Sequence, residues 1–188
     1  MRPSVLLPAL LFASSALLAG RAEAGTLSRG DVAPVLLGES GGKPVLLSDY
    51  RGKVVVITFW KKACKPCMDQ MQAFEDLNKQ YASQGLQVIG VDAGDSSREY
   101  GSLLRHVKRP TMVMAHDEGP SVGEAWGVYM LPSVWVVDAD GRIAAHHEGY
   151  VGADLPGIFA EIAGILAANQ PAAATPAPAP APAGGTPR

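Results

Sequence analysis

Cysteine is nearly absent from this sequence: of 188 residues, only Cys64 and Cys67 carry a thiol. Histidine is scarce as well. A zinc site needs about four ligands, and His106, His116, His146 and His147 show no spacing that would complete one with the two cysteines. No cysteine follows the apolar run near the start of the chain, which argues against a lipid anchor at that point. Neither sign of charge is in excess: residues 25–188 hold 14 basic and 17 acidic side chains, a net charge near −3. That balance supports neither nucleic-acid binding nor attachment to anionic membranes. The Pro-x-x-x-Thr-x-x-Cys pattern of peroxide-reducing thiol enzymes is missing, and no internal repeat is visible.

What is present gathers around Thr58-Phe59-Trp60-Lys61-Lys62-Ala63-Cys64-Lys65-Pro66-Cys67. The preceding run Val54-Val55-Val56-Ile57 lacks in/out alternation and is β-branched, as expected of a buried parallel strand. After Cys67, the apolar residues Met68, Met71, Phe74 and Leu77 recur at helical spacing. The pair therefore sits where a strand hands over to a helix, and there unpaired N–H groups and the helix dipole favour a thiolate. A structural staple is a weaker reading, because the entropic gain of a disulfide grows with the loop it closes and this loop is short. A redox dithiol stands foremost, with the staple and a metal site as alternatives.

The two ends differ from the middle. Residues 1–24 carry Arg2, an apolar run from Val5 to Ala19 and the small-x-small pattern Ala22-Glu23-Ala24. These are the parts of a cleavable signal peptide, so export is expected, with an uncleaved anchor as the alternative. The run is short for a membrane span, which needs ~20 residues. Residues 25–32 read as a linker, and residues 170–188 as a solvated tail rich in proline and alanine. The domain between, 33–169, is long enough for one substantial core.

Within it, Ala33–Leu37 and Val45–Leu47 read as a hairpin around Gly41-Gly42-Lys43. A strand at Val54–Phe59 leads to a helix from Cys64 to about Ser83, stopped by Gly85. Next come a strand at Leu86–Val91, a polar turn from Asp92 to Ser96 and a helix around Ser97–Val107. Pro110 biases its predecessor away from helix. A strand at Thr111–Ala115 and a short helix at Val122–Trp126 follow. Runs at Ser133–Val137 and Arg142–His147 flank an Asp140-Gly141 turn, a hairpin signal, and a helix spans about Leu155–Ala168. This alternation predicts an α/β sheet, mostly parallel, with antiparallel strands at one side.

Taken together, Gly52-Lys53-Val54-Val55-Val56, Phe59-Trp60, Cys64-Lys65-Pro66-Cys67, Trp126-Gly127-Val128, Leu131-Pro132-Ser133, Val136-Val137-Asp138 and Asp140-Gly141 resemble the thioredoxin superfamily. Within it they resemble in particular the exported TlpA/ResA-type disulfide reductases, over about Ala33 to Leu166. The resemblance implies a thioredoxin-like α/β fold: a central mixed sheet flanked by helices, with an N-terminal β-hairpin and an inserted αβ unit. It further implies that Cys64 attacks a partner disulfide and that Cys67 resolves the mixed disulfide. Pro132 would be the cis-proline facing the cysteines, Leu131 would offer backbone hydrogen bonds to an extended substrate, and Trp60 would flank the site. Lys65 and Pro66 would tune the pair, with no metal and no cofactor beyond the redox disulfide. The implied setting is the periplasm, with exported protein dithiols or disulfides as clients (as in cytochrome c or oxidase maturation) and a membrane thiol-reducing carrier as electron donor. No nucleic-acid partner and no membrane insertion after signal cleavage are expected.

Three departures from the family pattern stand out. Ala63 replaces the aromatic residue expected before the first cysteine, and Lys61 and Lys62 replace small residues, which makes the entrance more cationic. Thr58 occupies the strand position of a buried acid that takes the second cysteine's proton. Asp92 is a substitute for that acid, although its simpler reading is a strand-end turn residue. The alternatives are a copper-binding assembly protein on the same fold, a disulfide-donating oxidant and a non-catalytic binding module.

Overall fold

The computed structural model describes residues 26–107 and 109–170. The signal peptide expected at 1–24 and all but the first residue of the expected tail lie outside them. Among the described residues seven strands form one sheet: β1 (Leu36–Ser40), β2 (Lys43–Leu46), β3 (Val54–Trp60), β4 (Leu86–Ala93), β5 (Val113–Asp117), β6 (Ser133–Val137) and β7 (Ile143–Glu148). Within the same residues four α-helices accompany them: α1 (Lys65–Tyr81), α2 (Ser97–Leu104), α3 (Ser121–Ala125) and α4 (Leu155–Ala168). No helix among the described residues is long and apolar enough to cross a membrane.

The strand order is β2-β1-β5-β4-β3-β6-β7. Only β3–β4 and β4–β5 pair in parallel, joined by the crossover helices α1 and α2, while the other pairings are antiparallel. This corrects the expectation of a mostly parallel sheet. The parallel core has antiparallel strands on both sides, because the N-terminal hairpin docks beside β5 while β6 and β7 close the opposite edge. At the centre, β3 is buried at all seven positions, as its unalternating sequence requires.

The two sheet faces carry separate cores. One packs Val54, Val56, Trp60 and Val88 against Phe74 and Leu77 of α1, Tyr100 of α2 and Ile158, Ile162 and Leu166 of α4. The other packs Val55, Ile57, Phe59 and Trp135 against Val122, Trp126 and the hairpin residues Leu37 and Val45. Trp126 donates its indole N–H to the carbonyl of Leu36 at 3.2 Å, which satisfies its one polar atom in the core.

Polar side chains stitch α1 to its neighbours. The buried Asn78 accepts the Val88 N–H at 2.7 Å and donates to Thr111 Oγ1 at 3.1 Å. One turn earlier, the Glu75 carboxylate accepts the N–H groups of Thr111 and Met112 and the Thr111 hydroxyl. Gly85, at φ 88°, ends the 3₁₀ turn that follows α1 in the left-handed conformation glycine adopts without a Cβ penalty.

At the end of the sheet away from the cysteines, the β6–β7 turn collects several segments. Of residues 25–32, expected to be a linker, Gly30, Asp31 and Val32 are anchored there: Gly30 donates to Ile143, Ile143 donates to Asp31, and Val32 bridges Arg142. Asn169, just beyond α4, accepts the Ala139 N–H at 3.2 Å, and the Arg51 guanidinium donates to the Asp140 carbonyl.

Candidate active site

Cys64 is the N-cap of α1, with extended backbone, and its Sγ accepts the N–H of Cys67 at 3.2 Å. Helix N-termini leave their first N–H groups without partners, so this sulfur occupies the place a capping oxygen would take. The two cysteines form a disulfide with their Cα atoms 5.3 Å apart. Cys64 is partly exposed, whereas Cys67 is 3 % exposed and belongs to the core beneath α1. An incoming sulfur can therefore reach Cys64 far more readily than Cys67. Pro66 lies in the first helical turn, where its missing N–H costs no hydrogen bond.

The Leu131–Pro132 peptide bond is cis. Antiparallel register sets Ser133 opposite Phe59, so Pro132 lies beside the end of β3 from which the chain turns toward Cys64. The carbonyl of Pro132 accepts the N–H of Gly149. Leu131 is half-buried and packs against both cores, while Tyr129, Met130 and Val151 are exposed apolar side chains. A cavity of about 360 Å³ opens beside the disulfide, lined by Lys65, Pro66, Gln70, Val151 and Leu155 among others.

Two expected roles change with the geometry. Trp60, expected to flank the site, is 1 % exposed and packs in the core toward Tyr100, ring centroids 6.3 Å apart. It supports the site from below and offers no surface to a substrate. Lys65 has an 84 % exposed side chain and forms a 2.8 Å ion pair with Asp69, one turn along α1. Its charge is thus shared with solvent and a carboxylate, which leaves little for the neighbouring sulfur.

Asp92 is not a turn residue. It sits inside β4 opposite Trp60, is 0 % exposed, and has one carboxylate oxygen without a hydrogen-bond partner within the described protein. Burial, reinforced by the charge of Asp95, pushes its pKa up to about 7. His116 lies 4.0 Å away and is stacked on Tyr100 at 4.5 Å between centroids. Burial, with Asp92 adding to it, raises the Tyr100 phenol to about 12. Thr58, at the position where the family keeps an acid, is also buried.

Sequence reasoning did not single out Gln70 or Asp95. Gln70, one turn after Cys67, is 3 % exposed, and neither polar atom of its carboxamide has a partner within the described protein. A glutamine four residues before Phe74 was the available signal, but the stripe expected through Met68, Met71, Phe74 and Leu77 passes beside it. Phe74 and Leu77 are buried as that stripe requires, whereas the first turns are buried at Cys67 and Gln70, with Met68 and Met71 only half-buried. His146 and His147 lie on the edge strand β7, as expected. His146 stacks on Trp135 at 3.6 Å and hydrogen-bonds Ser133 Oγ, while His147 pairs with Glu161.

The model of a family described as AhpC/TSA matches residues 30–146. Thiol-disulfide oxidoreductase ResA of Bacillus thuringiensis subsp. konkukian is 29 % identical over 97 residues, 50 % of this chain and 54 % of that protein. Thiol:disulfide interchange protein DsbE of Pasteurella multocida is 30 % identical over 95 residues, half of each chain. The chain thus spans about half the length of the curated relatives it matches. Among solved structures, one described as a thiol:disulfide interchange protein DsbE from Chlorobium tepidum superposes with a TM-score of 0.70. It is 26 % identical, and the match covers 74 % of this chain and 99 % of that one. The fold is thioredoxin-like, a mixed central sheet flanked by helices.

Proposed function

The chain belongs to the AhpC/TSA family, and from that membership and its site we propose that it is a protein thiol–disulfide oxidoreductase that reduces disulfides in partner proteins. The observation carrying this reading is the Cys64–Cys67 pair at the head of α1, its first sulfur partly exposed and its second buried. Relatives named as a thiol–disulfide oxidoreductase and a thiol:disulfide interchange protein support it.

In the reduced chain, the Cys64 thiolate attacks one sulfur of the partner's disulfide. A mixed disulfide forms and the partner's other sulfur leaves as a thiolate. Cys67, deprotonated, then attacks Cys64 Sγ, which releases the second partner thiol and leaves Cys64–Cys67 oxidised. Two electrons pass to the partner, and the pair itself is the only redox group required. The unpaired N–H groups of the first α1 turn stabilise the Cys64 thiolate. The half-buried Leu131 beside Pro132 presents main chain to an extended client segment.

Recharging requires a second dithiol donor, which we assign to a membrane thiol-reducing carrier. Export to the periplasm, directed by residues 1–24, places both donor and client outside the cytoplasm. Exported clients of this kind include apocytochrome c and oxidase-assembly proteins.

The test is the reduction potential of the mature domain, measured by equilibration against glutathione buffers with thiol trapping. A value near −270 mV, that of thioredoxin, fits a dedicated reductase, whereas one near −120 mV makes it a disulfide donor. Failure to form the Cys64–Cys67 disulfide at any poise overturns the redox reading.

A further inference from the structure

The loop Lys61–Ala63 between β3 and Cys64 has one long-range tether to the second crossover. Asp95, which follows β4, accepts the backbone N–H of Lys62 at 2.7 Å across 33 residues. Asp95 is itself held from behind. Its N–H donates to Asp92 Oδ1 at 3.4 Å, and its carbonyl lies 2.8 Å from His116 Nε2. A carbonyl oxygen only accepts, so that histidine nitrogen carries a hydrogen. His116 in turn is clamped by its stack on Tyr100. The chain of contacts runs from a buried strand end, through one loop residue, to the main chain two residues before Cys64. Gly94, at φ 97°, lies under the Lys61 side chain, so the side chain of Lys61 and the main chain of Lys62 both meet this loop.

We propose that Asp95 is a positioning residue for disulfide exchange, holding the Lys61–Ala63 loop so that Cys64 caps α1 with its sulfur aimed at the Cys67 N–H. The inference rests on the redox reading above but concerns a residue that touches neither sulfur. Losing the tether frees the loop, and Cys64 then spends less time under the helix terminus that favours its thiolate. An alternative role for Asp95, as a nearby negative charge, pushes the other way, since removing that charge favours the thiolate.

Opposite signs make the two separable. In the reduced full chain, the rate of Cys64 alkylation by iodoacetamide is followed against pH in wild type, Asp95→Ala and Asp95→Asn. Asparagine keeps a side-chain oxygen that accepts the Lys62 N–H; alanine does not. Positioning predicts that Asp95→Ala moves the alkylation midpoint to higher pH and slows alkylation at pH 7 at least threefold, with Asp95→Asn restoring it. Faster alkylation in both variants, or no change in either, overturns the proposal. A second measurement needs no variant: amide hydrogen exchange in wild type should protect the Lys62 N–H at least tenfold more than that of Ala63. Equal exchange at the two amides overturns the proposal even if Asp95→Ala fails to fold. Neither readout requires a client or a defined redox direction, so a wrong redox assignment and a wrong role for Asp95 give different results.

Discussion

The N–H of Gly149 donates to the carbonyl of Pro132 at 2.9 Å, so the residue just after β7 holds the loop that carries the cis peptide bond. Gly149 has φ 63°, and a Cβ there would run into the Met130 thioether. Gly149→Ala should therefore cost about 1–2 kcal/mol for the left-handed backbone alone and displace the exposed Met130, which precedes Leu131 and Pro132. Urea denaturation reads the first effect. A weakened client KM with an unchanged Cys64 alkylation rate reads the second.

The unequal exposure of the two sulfurs predicts an asymmetric pair of variants. Cys67→Ser should accumulate a mixed disulfide between Cys64 and a client, visible on non-reducing gels and by intact mass. Cys64→Ser should trap nothing and lose turnover to background. Equal trapping by both variants would assign the attack to either sulfur and contradict the burial of Cys67.

Glu75 supplies a pH-dependent contribution to stability. Its partial burial works to raise its pKa, but the N–H groups of Thr111 and Met112, the Thr111 hydroxyl and Lys79 outweigh that and hold the carboxyl below its ordinary value. A depressed carboxylate contributes stability that is complete above the unfolded pKa, about 4.3. That contribution is lost as pH falls through the lower folded value. Glu75→Ala should destabilise by about 2–3 kcal/mol at pH 7, the scale of hydrogen bonds to a charged group. The difference from wild type should shrink in urea melts below pH 4.

Asp92 acts in the opposite sense. Its pKa of about 7 lies above the unfolded value near 3.9, so the folded chain binds this proton more tightly. Stability then declines as pH rises between about 4 and 7 and is lowest above 7. Asp92→Asn should remove this decline and stabilise the protein at pH 8 by something on the order of 2–4 kcal/mol. Parallel melts of the variant and wild type at pH 5 and pH 8 check the difference.

Much of this was readable from local pattern, and the rest was not, for physical reasons. Helix α4 and strand β6 fall on Leu155–Ala168 and Ser133–Val137 as expected, because an apolar stripe and a β-branched run bounded by turn residues each admit one period. The share of antiparallel pairing was misjudged, since nothing in Leu36–Ser40 says that this strand will lie beside β5. Pairing partners are chosen by tertiary packing. Asp92 was misread because Asp-Ala-Gly-Asp-Ser is turn chemistry wherever a strand happens to stop, and this strand continues through Ala93. The placement of the cysteines was legible because a strand-like run ends and a helical stripe begins at their spacing. Asp95 and Gln70 were not, since what matters about them is a partner 33 residues away in one case and the lack of one in the other.

The β6–β7 turn gathers Gly30, Asp31, Arg51 and Asn169 at one end of the sheet, while Cys64 lies beyond the other end of the seven-residue strand β3, roughly 20 Å away at strand rise. The first and last stretches of the folded unit therefore leave from the same pole, opposite the disulfide. A tether joined at Gly30 or at Asn169 would grip the folded unit by its foot, with the disulfide at the far end like a lamp on its post.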